Sequence, residues 1–215
     1  MSLLHSTFTA ASRFPSATEP HSAAIMVFSM PFESVLTDEV TDVTDVTLRE
    51  LTKDDAVAIA HAYARNREHL APWDPARPEE FYTEEWHKER LWAQVLENST
   101  GRALHTVIEA DGEIVGRLNL TDIVRGAFQN GHVGYWLDAR FTGRGLMTRA
   151  IEALAAHARD ELGLHRLQAA TLPHNEASQA VLTRLRFERI GFAPQYLKID
   201  GRWQDHVLFQ RILHD

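Results

Sequence analysis

The chain has 215 residues, 44% hydrophobic and 24% charged, a composition that excludes global disorder. Its 22 Lys and Arg against 30 Asp and Glu give a net charge of −8, which argues against a protein that binds nucleic-acid backbones. No apolar run reaches the ~18–20 residues that span a bilayer, and the absence of cysteine excludes disulfides, thiol nucleophiles and zinc–thiolate sites, so we expect a soluble, cytoplasmic protein.

The first 45 residues differ in composition from the rest. The first 30 are rich in Ser, Thr, Ala and Pro and contain one acidic and one basic residue. A transit peptide would contain several arginines, and a secretory signal would place a basic start before a continuous apolar core. We therefore predict a flexible N-terminal extension and linker over residues 1–45 and one domain over residues 46–215. An upstream start codon, with Met26 or Met30 as the true start, is the alternative.

The first elements of the predicted domain are a strand and two helices. A strand near Val46–Leu51 precedes a helix that Thr52 is suited to cap. A proline-containing loop, Asn66–Trp73, separates this helix from a second one over about Thr83–Glu97. One face of the second helix is marked at helical spacing by Tyr82, Trp86, Glu89, Ala93 and Leu96.

Strands dominate the rest of the chain and alternate with two further helices. Asp111-Gly112 and Asp200-Gly201 are two-residue turn signals that predict two hairpins. The predicted strands are His105–Ala110, Glu113–Ile123, His132–Asp138, Arg166–Leu172, Arg189–Ile199 and Arg202–Ile212, and the helices are Leu146–Leu162 and Asn175–Leu185. The longer helix carries one apolar stripe, Leu146, Ala150, Leu154, Ala158 and Leu162. This order predicts an α/β (α+β) fold with a mixed sheet.

The strongest local signal is Arg140–Gly145 (RFTGRG), between a strand and a helix. Its two glycines allow the backbone to approach a ligand closely, and the N-terminus of the following helix favours an anion such as a diphosphate. The segment matches neither the Walker loop nor the dinucleotide-binding fingerprint. Considered alone, a glycine pair before a helix is more often just a tight turn.

The glycine loop belongs to an ordered set of motifs. These are Asn66–Trp73 (NREHLAPW), Gly134–Asp138 (GYWLD), Gly145–Thr148 (GLMT), Leu164–Arg166 (LHR), Pro173–Ser178 (PHNEAS) and Tyr196–Leu208 (YLKIDGRWQDHVL). Over residues 46–213 the set resembles the GNAT acetyltransferase superfamily, and most closely its RimJ/RimL type, which acetylates the N-terminal alanine or serine of ribosomal proteins. The resemblance implies a GNAT fold, with a mixed, mostly antiparallel sheet of about seven strands flanked by about four helices. It also implies acetyl transfer from acetyl-CoA to a primary amine by direct attack in a ternary complex.

The resemblance assigns a diphosphate site to the glycine loop. Backbone N–H groups of Gly143, Arg144 and Gly145 would hold the diphosphate of acetyl-CoA, with Arg140 and Leu146 as neighbours. For Arg140, a solvated surface position is the alternative.

Further roles fall on the preceding strand and on the following helix. The pantetheine arm would bind along the strand formed by Tyr135, Trp136 and Leu137. The backbone amides of this strand would polarise the thioester carbonyl. Tyr135 and Trp136 should point to opposite faces of the strand, so only one of them faces the cleft. Asn175 would contact the same arm, although it is also suited to cap the next helix. Ser178 matches the position that protonates the departing thiolate, which makes Ser178 and Tyr135 the candidate catalytic residues.

The acceptor side is assigned in the same way. Asn66 and Trp73 would border the amine site, and Glu68 would face a cationic amine there. The branch carries a glutamate as general base immediately before the tyrosine that matches Tyr196. Here that position is Gln195, which cannot accept a proton near neutral pH. The sequence therefore departs from the branch at the residue that would activate the amine.

Other candidates for the base are Asp122, Glu113 and a chain of water molecules. Without an efficient base, the acceptor must be an amine that is already neutral. An α-amine with a pKa of ≈ 7.7–8.0 is roughly a quarter to a third neutral at about pH 7.5, whereas a lysine amine is about a thousandth neutral. This comparison favours an α-amine acceptor independently of the resemblance.

The predicted function is thus acetylation of a protein or peptide N-terminus. Acetylation of a small amine, such as an amino acid, a polyamine or an antibiotic, is the alternative with the same chemistry. A regulatory module that binds acyl-CoA without efficient transfer is an alternative from another class, which Gln195 supports. The 12 histidines show no metal-binding spacing, so no metal is expected. We expect a monomer or homodimer, and neither nucleic acid nor membrane as partner.

Overall fold

The computed structural model describes residues 31–36 and 46–214. Its strands are β1 (Glu33–Val35), β2 (Val46–Glu50), β3 (Leu104–Ala110), β4 (Glu113–Val124), β5 (Asn130–Leu137), β6 (Arg166–Thr171), β7 (Glu188–Ile199) and β8 (Arg202–Ile212). Its α-helices are α1 (Ala56–Arg65), α2 (Arg67–Leu70), α3 (Glu84–Ser99), α4 (Leu146–Asp160) and α5 (Glu176–Arg184).

Within these ranges the strands form one sheet of eight, in the order β1-β2-β3-β4-β5-β6-β8-β7. Every neighbouring pair is antiparallel except β5 and β6, which run parallel. The mixed, mostly antiparallel sheet predicted from the sequence is confirmed, with one more strand and one more helix than expected.

Both predicted hairpin turns are present. Asp111 and Gly112 join β3 to β4 with φ of 48° and 79°, and Asp200 and Gly201 join β7 to β8 with φ of 47° and 73°. Two successive residues at positive φ give the turn twist that matches antiparallel strands. Aspartate and glycine are among the residues that reach this region at low cost, which is why the dipeptide predicted the turn.

The parallel pair separates in the middle of the sheet. β5 and β6 pair from Asn130 opposite Arg166 to His132 opposite Gln168, and their ladder ends there. Beyond that point β5 stays paired with β4, and β6 stays paired with β8. The divergence leaves the β6-facing edge of Val133–Leu137 without a ladder partner, and it opens a gap between the two strands.

Helices cover the two faces of the sheet. Adjacent residues Val107 and Ile108 of β3 fall into two different buried clusters, so they face opposite sides. The cluster around Ile108 contains α4 and α5, and the cluster around Val107 contains α1 and α3. The predicted stripe of α4 is confirmed, because Leu146, Ala150, Leu154 and Ala158 are buried and Leu162 packs against their cluster.

The predicted face of α3 is wrong. The helix buries His87 and Leu91, whereas Leu96 of the predicted stripe is 56% exposed. His87 stacks on the ring of Tyr63 and meets the edge of Phe81, and burial lowers its pKa to about 4. The imidazole is therefore neutral and packs as an aromatic residue, although a sequence pattern counts it as polar.

Two other elements were not predicted. The segment Asn66–Trp73, expected to be a loop, contains the short helix α2. Strand β1, which falls in the range assigned to the extension, pairs with β2 at the edge of the sheet. The rest of that assignment concerns residues 1–30 and 37–45, which lie outside the described residues, and the domain boundary at residue 46 stays a prediction.

Candidate active site

A cleft of ≈ 780 Å³ occupies the gap between β5 and β6. Nine of the predicted site residues line it: Trp73, Tyr135, Trp136, Leu137, Gly143, Gly145, Leu146, Asn175 and Ser178. Six do not line it: Asn66, Glu68, Arg140, Arg144, Gln195 and Tyr196. The cleft thus brings the start of α5 next to β5 and the glycine loop, which follow each other directly in the chain.

The glycine loop forms one wall of the cleft, at the N-terminus of α4. Gly143 and Gly145 have φ of 76° and 74°, a backbone conformation that side chains rarely adopt. A Cβ atom at Gly143 would meet no other atom within 4 Å, so the backbone is open to a ligand there. Because Gly145 precedes a helix of 15 residues, free N–H groups and the helix dipole give this wall a positive potential.

Tyr135 and Ser178 form a hydroxyl pair across the cleft. Their oxygen atoms are 2.8 Å apart. Burial raises the pKa of Tyr135 to about 12, so this hydroxyl keeps its proton, and either oxygen can be the donor in the pair. In one arrangement Tyr135 donates the hydrogen bond to Ser178 Oγ. The hydrogen atom of Ser178 is then available to a group in the cleft.

Asn175 fixes the start of α5. Its Oδ1 accepts a hydrogen bond of 3.0 Å from the backbone N–H of Ser178, which makes it the predicted N-cap. Its Nδ2 makes no hydrogen bond with another described residue, so the amide can still donate into the cleft. The expectation that Tyr135 and Trp136 face opposite ways is confirmed: Trp136 Nε1 donates to Tyr63 of α1, on the other face of the sheet. Both residues nevertheless line the cleft, so the expectation that only one of them does is wrong.

Asn66 and Arg140 belong to a polar cluster around the buried Asp138, and neither lines the cleft. Asp138 is 1% exposed and accepts hydrogen bonds from Arg65 Nε at 2.7 Å, Asn66 Nδ2 at 2.9 Å, and the backbone and guanidinium of Arg140 at 2.9–3.0 Å. Asn66 also donates to Ala62 O and accepts from the backbone N–H of Ala139. Its amide is therefore fully used, which leaves it no free donor for an amine substrate.

Arg140 is engaged by two carboxylates. In addition to Asp138, its guanidinium lies 3.1 Å from Glu113 Oε1. With these partners its guanidinium does not line the cleft, and its contact with a diphosphate stays a prediction. The cluster instead joins the end of α1 to the beginning of the glycine loop, and thereby positions that loop.

Replacing Asp138 by Asn is expected to lower the free energy of unfolding at pH 7 by about 2 kcal/mol. The guanidinium groups hold the pKa of the Asp138 carboxyl well below its usual value. The stabilisation of the folded protein by the ionised Asp138 carboxyl is therefore present above about pH 4 and is lost as the pH falls further. Urea unfolding at pH 7 and pH 3 should show a gap between wild type and variant that shrinks at pH 3. Asp54→Asn, at an exposed position, is the matched control. Equal free energies of unfolding for the wild type and Asp138→Asn at pH 7 would contradict the expectation.

The residues predicted around the general base lie outside the cleft. Gln195 is exposed, has a φ of 50°, and donates its backbone N–H to Asp205 at 2.8 Å in an irregular part of the β7–β8 pair. Tyr196 is 39% exposed and lies beside the ring of His206. Glu68 is exposed on α2. Their substrate contacts stay predictions.

The alternative bases are also remote from the cleft. Glu113 pairs with Arg65 at 2.7 Å and with Arg140, so it serves the Asp138 cluster. Asp122 is exposed near the end of β4, at an irregularity of the β4–β5 pair. Neither side chain lines the cleft.

Several residues that line the cleft near α2 and the last hairpin were not predicted. His69, Asp74 and Pro75 come from the segment around α2, and Leu197, Ile199 and His206 come from the last hairpin. His206 was not among the predicted site residues. Its position one residue before Val207, which faces the core, was the available signal that it points to the other side.

No helix among the described residues is long and apolar enough to cross a membrane. In the same part of the chain no group of three or more His, Asp or Glu side chains is arranged to hold a metal ion.

The separated parallel strands, the glycine loop and the helix N-terminus agree with the arrangement that the resemblance to acetyltransferases implied. A family model described as an acetyltransferase (GNAT) domain matches residues 45–188. The chain belongs to the GNAT acetyltransferase family and is an N-acetyltransferase.

Two relatives are named for ribosomal proteins. The [ribosomal protein uS5]-alanine N-acetyltransferase of Escherichia coli is 36% identical over 77% of this chain and 87% of that protein. The crystal structure of the ribosomal-protein-S5-alanine acetyltransferase from Vibrio fischeri is 37% identical, with a TM-score of 0.78 over 85% of this chain and 98% of that one. The predicted GNAT fold and the resemblance to the RimJ/RimL type are confirmed.

A third relative carries a bound coenzyme. RimJ from Mycobacterium smegmatis, solved in complex with CoA-disulfide, is 31% identical, with a TM-score of 0.71 over 85% of this chain and 86% of that one. The family likeness therefore extends to a protein known to bind the coenzyme.

Proposed function

We propose that this chain transfers the acetyl group of acetyl-CoA to the N-terminal α-amine of a ribosomal protein. The observation that carries the proposal is the cleft between β5 and β6, which joins an anion-binding loop to the Tyr135–Ser178 hydroxyl pair. The relatives named for uS5-alanine acetylation support the acceptor. The proposal places the reaction in the cytoplasm, where ribosomal proteins are synthesised.

The cleft fits acetyl-CoA at three points. The open backbone at Gly143 and the N-terminus of α4 suit the diphosphate, because N–H groups and the helix dipole favour an anion there. The unpaired edge of Val133–Leu137 suits the pantetheine arm, whose amides can hydrogen-bond to it like a further strand. Asn175 Nδ2 adds a donor beside this edge.

The chemistry requires one proton to leave the amine and one to reach sulfur. Negative charge grows on the thioester oxygen during attack, and the N–H groups of β5 are fixed donors for it. The Ser178 hydroxyl, oriented by Tyr135, faces the leaving thiolate and donates to it. No covalent enzyme intermediate is needed, which is consistent with a chain without cysteine.

The experiment compares kcat/KM for three acceptors at about pH 7.5. One is a uS5-type peptide with a free N-terminal alanine and no lysine, the second is its N-blocked form with one lysine, and the third is a small amine. We expect the first to exceed the second by at least about 100-fold, because far more of an α-amine is neutral. A higher kcat/KM for the small amine would overturn the proposal that the acceptor is a protein N-terminus. Absence of acetyl transfer to all three acceptors would overturn the proposed function.

A further inference from the structure

His206 lies beside the point where β5 and β6 separate. In the β6–β8 pair, Val207 stands opposite Thr171 at the end of β6. His206 is the next residue of β8 beyond that pair. It lines the same cleft as Tyr135 and Ser178. The residue is therefore placed by regular strand pairing, and not by a loop.

The side chain of His206 faces the acceptor side of the sheet. Val207 and Phe209 belong to the core cluster under α4 and α5. Because side chains alternate along a strand, His206 points to the opposite face. Tyr135 meets Ser178 on the α5 side. The cleft thus has a hydroxyl pair on one side and an imidazole on the other.

The imidazole is held in one orientation. Its Nδ1 lies 3.0 Å from the backbone oxygen of Gln204, and a carbonyl oxygen only accepts, so Nδ1 carries the hydrogen of the neutral ring. Nε2 then has a lone pair, and it makes no hydrogen bond with another described residue. The ring of Tyr196 stands 5.5 Å away and limits its rotation. This tautomer is the one that a proton acceptor requires.

Two other side chains among the described residues that line the cleft are an imidazole or a carboxylate, His69 and Asp74. Asp74 is paired with Arg77 at 3.2 Å, so its carboxylate already has a cation. His69 stands on the four-residue helix α2, and no described hydrogen bond orients its ring. His206 differs from both in its strand position and its fixed ring.

We propose that Nε2 of His206 accepts the proton that the amine loses, in place of the glutamate that Gln195 replaces. This inference rests on the proposed function. The amine nitrogen bonds to the thioester carbonyl carbon and gives one proton to Nε2. The carbon–sulfur bond breaks, its electron pair leaves with sulfur, and the sulfur takes a proton from the Ser178 hydroxyl. The imidazolium gives its proton to solvent, and Ser178 regains one from solvent.

The test measures steady-state kinetics of His206→Ala and His206→Gln with the uS5-type peptide. Each should lose about 100-fold in kcat, while calorimetric titration gives an unchanged Kd for acetyl-CoA. Free imidazole, at millimolar concentration, should raise the kcat of His206→Ala at least tenfold, because it fits the space left by the ring. It should not accelerate the wild type or His61→Ala, a control at an exposed position of α1.

The outcomes separate the two proposals. A wild type that acetylates no amine removes the proposed function itself. An active wild type with kcat retained in His206→Gln, or rescue of His69→Ala but not of His206→Ala, overturns His206 as the base. Loss of activity without imidazole rescue, in variants that unfold and bind acetyl-CoA like the wild type, also overturns it, since a positioning role alone would give that result.

Discussion

Replacing Gly143 by Asp is expected to weaken the binding of acetyl-CoA at least about 100-fold, which corresponds to about 2.7 kcal/mol. The loss arises from charge, because the new carboxylate would repel the diphosphate that the proposal places beside Gly143. A steric clash with the rest of the protein is not the cause, since a Cβ atom at Gly143 would meet nothing within 4 Å. The φ of 76° is also tolerated by aspartate and asparagine better than by other side chains. Calorimetric titration of acetyl-CoA measures the effect.

The matched control is Gly143→Asn, which has nearly the same shape without the charge. We expect it to weaken binding less than about tenfold. Both variants should unfold near the wild-type temperature, because the position is open and an acidic residue near a helix N-terminus is tolerated. Equal losses for Asp and Asn would assign the effect to backbone strain, and binding retained by the Asp variant would place the diphosphate elsewhere.

Ser178→Ala is expected to lower kcat by about 100-fold with little change in the Kd for acetyl-CoA. The substitution removes the hydroxyl that faces sulfur but keeps the backbone N–H that Asn175 caps, so α5 should remain intact. Tyr135→Phe should cost less, about tenfold, because its hydroxyl acts through Ser178. The double variant should then resemble Ser178→Ala, since two residues that act as one unit are not additive. The exposed Ser99→Ala serves as the control.

A different pattern would revise these roles. If Tyr135→Phe cost more than Ser178→Ala and the two effects were additive, Tyr135 would contact the substrate itself. The pKa of about 12 supports the order proposed here, because a phenol that stays protonated keeps a hydrogen atom to donate to Ser178 and is a poor acid toward a thiolate. The rate should therefore show no step from phenol ionisation between about pH 7 and pH 10.

Local signals predicted most of the sheet and two sides of the site. The Asp-Gly turns, the stripe of α4 and the glycine loop are each set by residues close in sequence, and all are present in the structure. Asn175 as an N-cap is of the same kind. The face of α3 was mispredicted because His87 packs as a neutral ring, a state that depends on Tyr63 and Phe81.

Long-range contacts account for the remaining differences. Asn66 meets Asp138 across 72 residues of sequence, and Arg140 turns to Asp138 and to Glu113, so neither role follows from neighbouring residues. His206 reaches the cleft through the pairing of β8 with β6. The sequence of a strand shows that its side chains alternate between two faces, but not which strand lies beside it. The acceptor end of the cleft depends on the order of the strands in the sheet.

The most direct test of the central claim is mass spectrometry of a ribosomal protein of the uS5 type, prepared with a free N-terminal alanine. The protein is incubated with acetyl-CoA and this enzyme, and fragmentation locates the modification. The account predicts one acetyl group on the α-amine, formed by the wild type and absent with Gly143→Asp. Acetyl groups on lysine side chains alone, or no acetylation while a small amine is acetylated efficiently, would contradict it.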